Sequence, residues 1–491
     1  MFPPSKNLEP LFIISRCILL FFTNKIIKEL QLKIFNYFLI FFLVATQYFA
    51  QTEITGTGLH DNIADKIVQT ALSEWTGYKW LGELCKIGPR LSGSENSVKA
   101  IKWAKSKLEN LGADSVWLQP CKVPHWERGE EEKALLISDK LNLYKEIKVT
   151  ALGGSIGTGG DKLIAEVVEV HNFDELKNLG DKIRDKIVFY NVPFDNTTIN
   201  TFSAYGKAVK YRVYGVLEAA KFGAAGVIVR SVTSKYDNVP HTGVMLYADS
   251  LKKIPAVAIG LQDADFLSDI IELDKSVKVG LKLDCKNLPE STSYNVIGEI
   301  KGTEHPEEVI VVGGHLDSWD VGEGAHDDGA GVIHSLEVLS LFKRLGIRPK
   351  RTVRCVLFMN EENGSRGAKA YAALADTSRE KHIAAIESDR GGFSPRGFSV
   401  KTDSLTLNTL RSWLPLLNKA LIDWIKPGGT GADISKIKNA KALIGFVPDG
   451  QRYFDLHHSA HDTFDKVHPR ELELGSAAIT ILTYLISEEG I

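Results

Sequence analysis

Cysteine is scarce in this chain and never spaced for metal or redox chemistry. The five in 491 residues are Cys17, Cys85, Cys121, Cys285 and Cys355. No two stand as Cys-x-x-Cys, which excludes a thiolate zinc site and a thioredoxin-like motif. An excess of charge of one sign is equally missing. Lysine and arginine total 59 against 61 acidic residues, a formal net charge of −2, and without a basic run there is no footprint for nucleic acid. The acidic cluster Glu130-Glu131-Glu132 is short and reads as a solvated turn. Past the first fifty residues no apolar run approaches the roughly 20 residues that a membrane-spanning helix needs. What is present is an ordinary globular composition, 44% hydrophobic and 24% charged. At roughly 100–200 residues per domain the chain is long enough for two or three domains.

The first fifty residues differ from the rest. Apolar stretches run from Leu11 to Phe22 and from Ile34 to Phe49; Lys25, Lys28 and Lys33 precede the second, and Ala50-Gln51 follows it. A basic region, an apolar core of roughly 15 residues and a small residue at its end describe a secretory signal peptide. Residues 1–50 are therefore expected to be a signal, and the mature chain to be exported (secreted or periplasmic) without stable membrane insertion. A retained anchor is the alternative, and both stretches are short for it. Cys17 would leave with the signal. Cys355, inside an apolar strand, reads as a buried thiol, and a disulfide among the remaining cysteines stays open.

Beyond the signal, apolar residues at helical spacing predict helices over Asn62–Trp80 and Ser94–Leu111, the second closed by Gly112. Strands are expected at Ser115–Pro124, Ala134–Ser138 and Ile147–Leu152, before a glycine-rich break at 153–160. From about Lys162 to Cys285 short β-branched runs dominate and helix is expected to be sparse. None of those runs carries His, Asp or Glu at metal-ligand spacing, so the segment 156–285 reads as an inserted, non-catalytic domain. Residues 51–155 and 286–491 would form the main domain. Its strands Glu308–Gly313, Thr352–Phe358, Ile383–Ile386 and Leu443–Val447 are nearly continuous apolar runs alternating with amphipathic helices such as Gly331–Leu345 and Glu471–Ser487. That alternation predicts an α/β fold, a mostly parallel sheet flanked by helices on both faces.

The chemistry stands at the ends of those strands, where an open α/β sheet has its ligand crevice. Gly314-His315-Leu316-Asp317 follows the first strand, Asn360-Glu361-Glu362-Asn363 the second, and Glu387-Ser388-Asp389 the third. A turn before a helix holds His326-Asp327-Asp328-Gly329, and His457-His458-Ser459-Ala460-His461-Asp462-Thr463 arrives much later. Imidazole and carboxylate without thiolate suit catalytic zinc. Two metals about 3.5–4 Å apart need a bridging carboxylate, which is the expected role of Asp327. His315 and Asp389 would complete one zinc, Glu362 and a histidine of the late cluster the other. Glu361 points away from Glu362, as neighbours at a strand end do, and is the candidate general base. Asp317 is expected to orient the His315 imidazole. Taken singly these pieces are weak: a Glu-Glu pair is usually a surface feature and Asp-Asp-Gly a turn.

The series resembles the co-catalytic zinc exopeptidases, which include bacterial aminopeptidases and the glutamate carboxypeptidases. The resemblance covers nearly the whole chain beyond the signal. It rests also on Ile87-Gly88-Pro89-Arg90-Leu91-Ser92-Gly93-Ser94, on residues 124–131, on Gly313 through Gly322 and on Phe454 through Thr463. It implies the zinc exopeptidase fold, two zinc ions per chain and hydrolysis of short peptides by a zinc-activated water with Glu361 as base. It also implies a protease-associated-like inserted domain and a homodimer. The family's ligand lies four residues before the Asp-Thr pair, which selects His458, leaving His326, His457 and His461 as bystanders. A carboxypeptidase or dipeptidase is expected, an aminopeptidase of the same family being the alternative and a binding protein on a peptidase scaffold the remote one. Two departures stand out. Arg390 follows Asp389 where a small residue is expected, and 428–433 lacks the tyrosine that some relatives use to stabilise the oxyanion, a role open to Tyr453.

Overall fold

The structure, a computed structural model, describes residues 58–491; the signal peptide expected over residues 1–50 lies outside the described residues. Both sheets belong to the compact unit Ala64–Ile491.

The main sheet has eight strands, in the order Ser115–Glu127, Lys286–Ile300, Arg351–Phe358, His305–His315, Lys381–Glu387, Ala442–Pro448, Pro395–Lys401, Trp424–Pro427. Its centre is parallel: His305–His315 pairs in that sense with Arg351–Phe358 and with Lys381–Glu387, which pairs likewise with Ala442–Pro448. The strands outside this block join antiparallel, at Lys286–Ile300 on one side and Pro395–Lys401 on the other. The expected parallel sheet is therefore the core of a mixed one. Its strands have no polar face because both sides are covered. Val309 and Val311 pack with Ala368, Tyr371 and Ala375 of helix Arg366–Thr377. Helices Ala330–Arg344 and Pro469–Glu489 pack against each other and against the sheet. Each fully buried Val, Leu, Ile or Phe in these layers contributes ~1.5–3 kcal/mol.

The expected helix over Ser94–Leu111 forms as Glu95–Asn110, capped by the Ser94 hydroxyl on the Ser97 N–H and followed by Gly112 at φ +72°. The one over Asn62–Trp80 is broken at Trp75, where φ is +50°, before a helix at Thr76–Cys85. The four cysteines after the first are all buried and free.

A second eight-stranded sheet is built from residues 132–283. It takes in the strands before residue 156 as well as those after it, Glu132–Ser138 pairing with Lys278–Leu283. The expectation of little helix in this segment is wrong. Phe173–Leu179, Thr201–Ala220 and Leu261–Leu273 are α-helices. Thr201–Ala220 escaped detection because its buried stripe dilutes Tyr211 and Val216 with small and polar residues, Ala204, Ala208, Arg212, Gly215 and Ala219. Two glycines and several valines lower its intrinsic helix propensity further.

Candidate metal centre and active site

Parallel strands end at a common edge, and three of them deliver the expected ligands there. His315 is the last residue of its strand, while Glu361-Glu362 and Asp389 follow theirs within a few residues. Asp327 comes from the turn Ala325–Gly329 that leads into helix Ala330–Arg344, and its peptide bond to Asp328 is cis.

Asp327 stands between two histidines. Its Oδ1 is 3.3 Å from His315 Nε2, and its Oδ2 is 3.3 Å from His458 Nε2. His315 Nε2 also lies 3.5 Å from Asp389 Oδ1, and His458 Nε2 lies 3.0 Å from Glu362 Oε2. The donors fall into two overlapping groups that share Asp327, one of them with His315 and Asp389. The other holds both His457 and His458; His457 Nε2 is 3.6 Å from Asp327 Oδ2, its ring stacked on that of His458. His457 is thus closer to the centre than a bystander need be, but the Glu362 contact belongs to His458.

The centre fits divalent metal on its own evidence. Among the described residues Glu362 Oε1 is a buried acceptor with no hydrogen-bond donor, and Asp327 Oδ2 makes no closer contact than the facing His458 and His457 nitrogens at 3.3 and 3.6 Å; a buried acceptor left unsatisfied costs about 1–3 kcal/mol unless a ligand meets it. Carboxylates outnumber imidazoles. Burial works against the charged forms, yet it is outweighed: His315 and His458 hold the Asp327 carboxyl well below its ordinary range. In turn, and also against burial, Glu362 and Asp327 hold His458 up to about 9. Protons on the imidazoles supply the positive charge that a cation would otherwise bring.

Both candidate ligand imidazoles meet a backbone carbonyl at Nδ1, leaving Nε2 facing the centre. His315 Nδ1 is 2.9 Å from the backbone carbonyl of Asp317 and 3.9 Å from its carboxylate. Asp317 therefore orients His315 through its main chain, a correction to the expected carboxylate contact. The carboxylate does other work: its Oδ1 accepts the N–H of Asn360 at 2.7 Å and of Glu361 at 3.1 Å, fixing the turn that aims Glu361. Burial lifts the Glu361 carboxyl well above the usual range; His315 opposes this, while Asp389 and Glu362 add to it.

Sequence reasoning passed over several residues that hold these groups. The Asp462 carboxylate accepts the N–H groups of His326 (2.7 Å) and Asp327 (3.0 Å), and burial pushes it up to about 7. Asp328 accepts the N–H of His315 at 3.0 Å and of Gly331 at 2.9 Å. A β-carbon at Gly314 would sit 2.5 Å from Asp328 Oδ2, so the residue before His315 has to be glycine. Arg90 is fully buried; its guanidinium donates to the carbonyls of Leu316 (2.7 Å), Glu323 (2.6 Å) and Gly324 (2.9 Å). Nearby, Ser92 accepts from Asn360 Nδ2 at 2.8 Å. The Gly88–Ser94 motif, which drew notice without a role, thus braces the loop between His315 and Asp327 and the turn at Glu361. Its signal was an arginine and a serine in an otherwise apolar stretch.

A cleft of about 360 Å³ opens over the centre, lined by Asp327, Glu361, Glu362, Asp389, His457 and His458. Its other wall comes from helix Thr201–Ala220, through Phe202, Tyr205, Val209, Arg212 and Val213, and from Tyr453 and Phe454. The Arg390 guanidinium stands 4.9 Å above the ring of the lining residue Phe202 and donates to the Gly429 carbonyl at 3.3 Å, while exposed Arg452 lies over Phe393; neither arginine is itself in the lining. Glu323 accepts the Phe464 N–H at 2.7 Å and is absent from the cleft wall.

Residues 295–482, which include every candidate ligand, match the model of peptidase family M28. The chain is 38% identical over 403 residues to carboxypeptidase Q of Bos taurus, covering 82% of this chain and 83% of that protein. The crystal structure of a peptidase M28 precursor from Shewanella amazonensis superposes with a TM-score of 0.84 at 34% identity, over 88% of this chain and 98% of the other. A zinc aminopeptidase of Bacillus subtilis shares the fold, with a TM-score of 0.60 at 21% identity over 84% of this chain and 95% of that one.

Proposed function

The chain belongs to peptidase family M28, the co-catalytic zinc exopeptidases, and from that premise we propose that it is a two-zinc carboxypeptidase or dipeptidase acting on short peptides. The observation that carries this reading is the position of Asp327, one oxygen facing His315 and the other His458 at the same distance. His315, Asp389 and one oxygen of Asp327 would hold one zinc, and Glu362, His458 and the other oxygen the second. Bound there, zinc supplies Lewis-acid polarisation of the scissile carbonyl and lowers the pKa of a water towards about 7.

The protein's own groups do the rest. Glu361 would take the proton from the attacking water and return it to the leaving amine. Asp317 keeps Glu361 aimed through the two N–H groups of its turn. Phe202, Tyr205, Val209 and Val213 offer an apolar wall to the substrate side chain and exclude water from the reacting bond. An exopeptidase must also hold a terminal charge to fix the bond over the metals. Arg390 at the cleft rim suits a C-terminal carboxylate. Glu323, the acidic group available for a substrate amine, accepts the Phe464 N–H, and Arg390 donates to the Gly429 carbonyl at 3.3 Å, so the preference for the carboxypeptidase reading over the aminopeptidase one rests on the likeness to carboxypeptidase Q. The deciding assay uses one dipeptide with its C-terminus free or amidated and its N-terminus free or acetylated. Amidation should abolish cleavage; tolerance of amidation together with loss on acetylation would replace this reading by an aminopeptidase.

We also infer that segment 156–285, with the strands at 132–151 that pair into its sheet, is an inserted protease-associated-like domain, the rest of 51–155 forming the peptidase domain together with 286–491. Export after removal of residues 1–50 and assembly as a homodimer complete the reading. Among the described residues no helix is long and apolar enough to cross a membrane.

A further inference from the structure

The two halves of the metal centre are held by different parts of the chain. His315 and Asp389 leave directly from the parallel strands, and the main-chain carbonyl that orients His315 belongs to Asp317, two residues on. His458 hangs from a loop that Asp462 ties to the Asp327 turn at its far end and that the inserted segment grips at His457–Ser459. The Thr242 N–H donates to the His458 carbonyl at 2.9 Å, and the Thr242 carbonyl lies 3.3 Å from His458 Nδ1. Backbone and ring of one ligand are therefore tied to a single residue of the insert. One position back, His241 Nδ1 lies 2.7 Å from the His457 carbonyl, and His241 forms an antiparallel bridge with Ser459. Arg212 donates to the same Thr242 carbonyl at 3.1 Å.

His458 needs this grip. Its φ is +59°, a left-handed backbone that a residue with a β-carbon keeps only where its surroundings over-determine it. A carbonyl acceptor on His241 Nδ1 requires a proton there, so this side chain acts as a donor; it is 2% exposed, and its Nε2 has no partner among the described residues. At His458, Nδ1 faces the Thr242 carbonyl at 3.3 Å and Arg212 Nη1 at 3.4 Å, which turns Nε2 towards Glu362 and Asp327.

We propose that His241, through its bond to the His457 carbonyl, is a positioning residue that with the Thr242 main chain sets the His458 imidazole, so that the inserted segment builds one of the two metal positions. The proposal rests on the two-zinc reading above and deepens it. It gives the insert a part in the metal centre itself and makes the two positions separable by a residue that touches neither metal.

The test compares the full mature chain with His241→Leu, which keeps bulk and removes the donor, and with His241→Asn, which restores an N–H. Zinc is titrated in chelator-buffered solution, and the visible spectrum of the cobalt(II)-loaded proteins is recorded. Loss of a group that orients a ligand costs roughly 10–100-fold in metal affinity. His241→Leu should therefore bind one zinc as the parent does and the other roughly 10–100-fold more weakly, with an altered cobalt spectrum, and His241→Asn should move back towards the parent on both readouts. Two parent-like affinities in His241→Leu, or equal weakening of both, overturn the proposal. A parent chain that takes up fewer than two zincs sinks the two-zinc reading instead, which is a different result. A measurement on the parent alone covers the case in which His241→Leu does not fold. Amide exchange in peptides spanning 240–243 should slow as one of the two zinc equivalents binds, and exchange indifferent to both also overturns the proposal.

Discussion

Replacing Glu361 by Gln is the perturbation that separates a general base from a ligand. The two side chains have the same shape, and the hydrogen bond that ties Glu361 to Asp317 runs through the Glu361 backbone N–H. The turn survives, because Asp317 holds it through backbone N–H groups that substitution leaves in place. What disappears is a negative charge that burial disfavours and that Asp389, Glu362 and Asp317 further crowd. Metal-free Glu361→Gln should thus unfold at the same temperature as the parent or slightly higher. Zinc content should be unchanged, since His315, Asp327, Glu362, Asp389 and His458 all remain. The rate should fall 10²- to 10⁴-fold, the range for a lost general base, or ~2.7–5.4 kcal/mol at 1.36 kcal/mol per decade. The fall belongs in kcat with KM little changed, because the amide still fills the space the substrate meets. Steady-state kinetics on a dipeptide beside elemental analysis decide the matter. Turnover within a few-fold of the parent, or loss of both metals, would refute the reasoning.

Three further outcomes follow from other parts of the molecule. Arg90→Met strips the carbonyls of Leu316, Glu323 and Gly324 of their donor. At about 1–3 kcal/mol per buried acceptor left unsatisfied, urea unfolding should show a loss of several kcal/mol, and a change below 1 kcal/mol would dismiss the brace. Away from the cleft, burial pushes Glu337 up to about 7 and Glu473 to about 8 from an ordinary value near 4.5. Raised folded values mean that their stabilising contribution is complete below about pH 4.5 and is lost as pH rises through 7 and 8. The melting temperature of Glu337→Gln should therefore fall less steeply than the parent's between pH 5 and 8; parallel curves would deny the shift. N-terminal sequencing of protein from its natural host should begin at or within a few residues of Gln51, whereas an intact Lys33–Phe49 segment would mean a retained anchor.

The catalytic edge was legible because strand-end residues announce themselves. An apolar run that stops at Gly-His-x-Asp, Asn-Glu-Glu or Glu-Ser-Asp places its polar residue at the mouth of a parallel sheet, and the structure puts all three there. Groups that act at long range were not legible. Asp462 reaches back 135 residues to the Asp327 N–H, and Arg90 reaches 226 residues ahead to the Leu316 carbonyl; nothing local in either sequence marks the partner. Asp317 was found for the right place and the wrong atom, since spacing gives the direction of a side chain but not whether its carbonyl or its carboxylate meets the ring. Helix Thr201–Ala220 was missed because its buried face sets Tyr211 and Val216 among alanine, glycine and arginine, and with it went the far wall of the cleft.

The central claim is that Asp327 bridges two zinc ions, and zinc content in the dialysed protein tests it most directly. The parent should hold two zincs per chain, His458→Ala should mainly deplete one, and Asp327→Ala should lose zinc from both positions, because each draws on one of its oxygens. Two zincs per chain in folded Asp327→Ala protein would contradict the bridge.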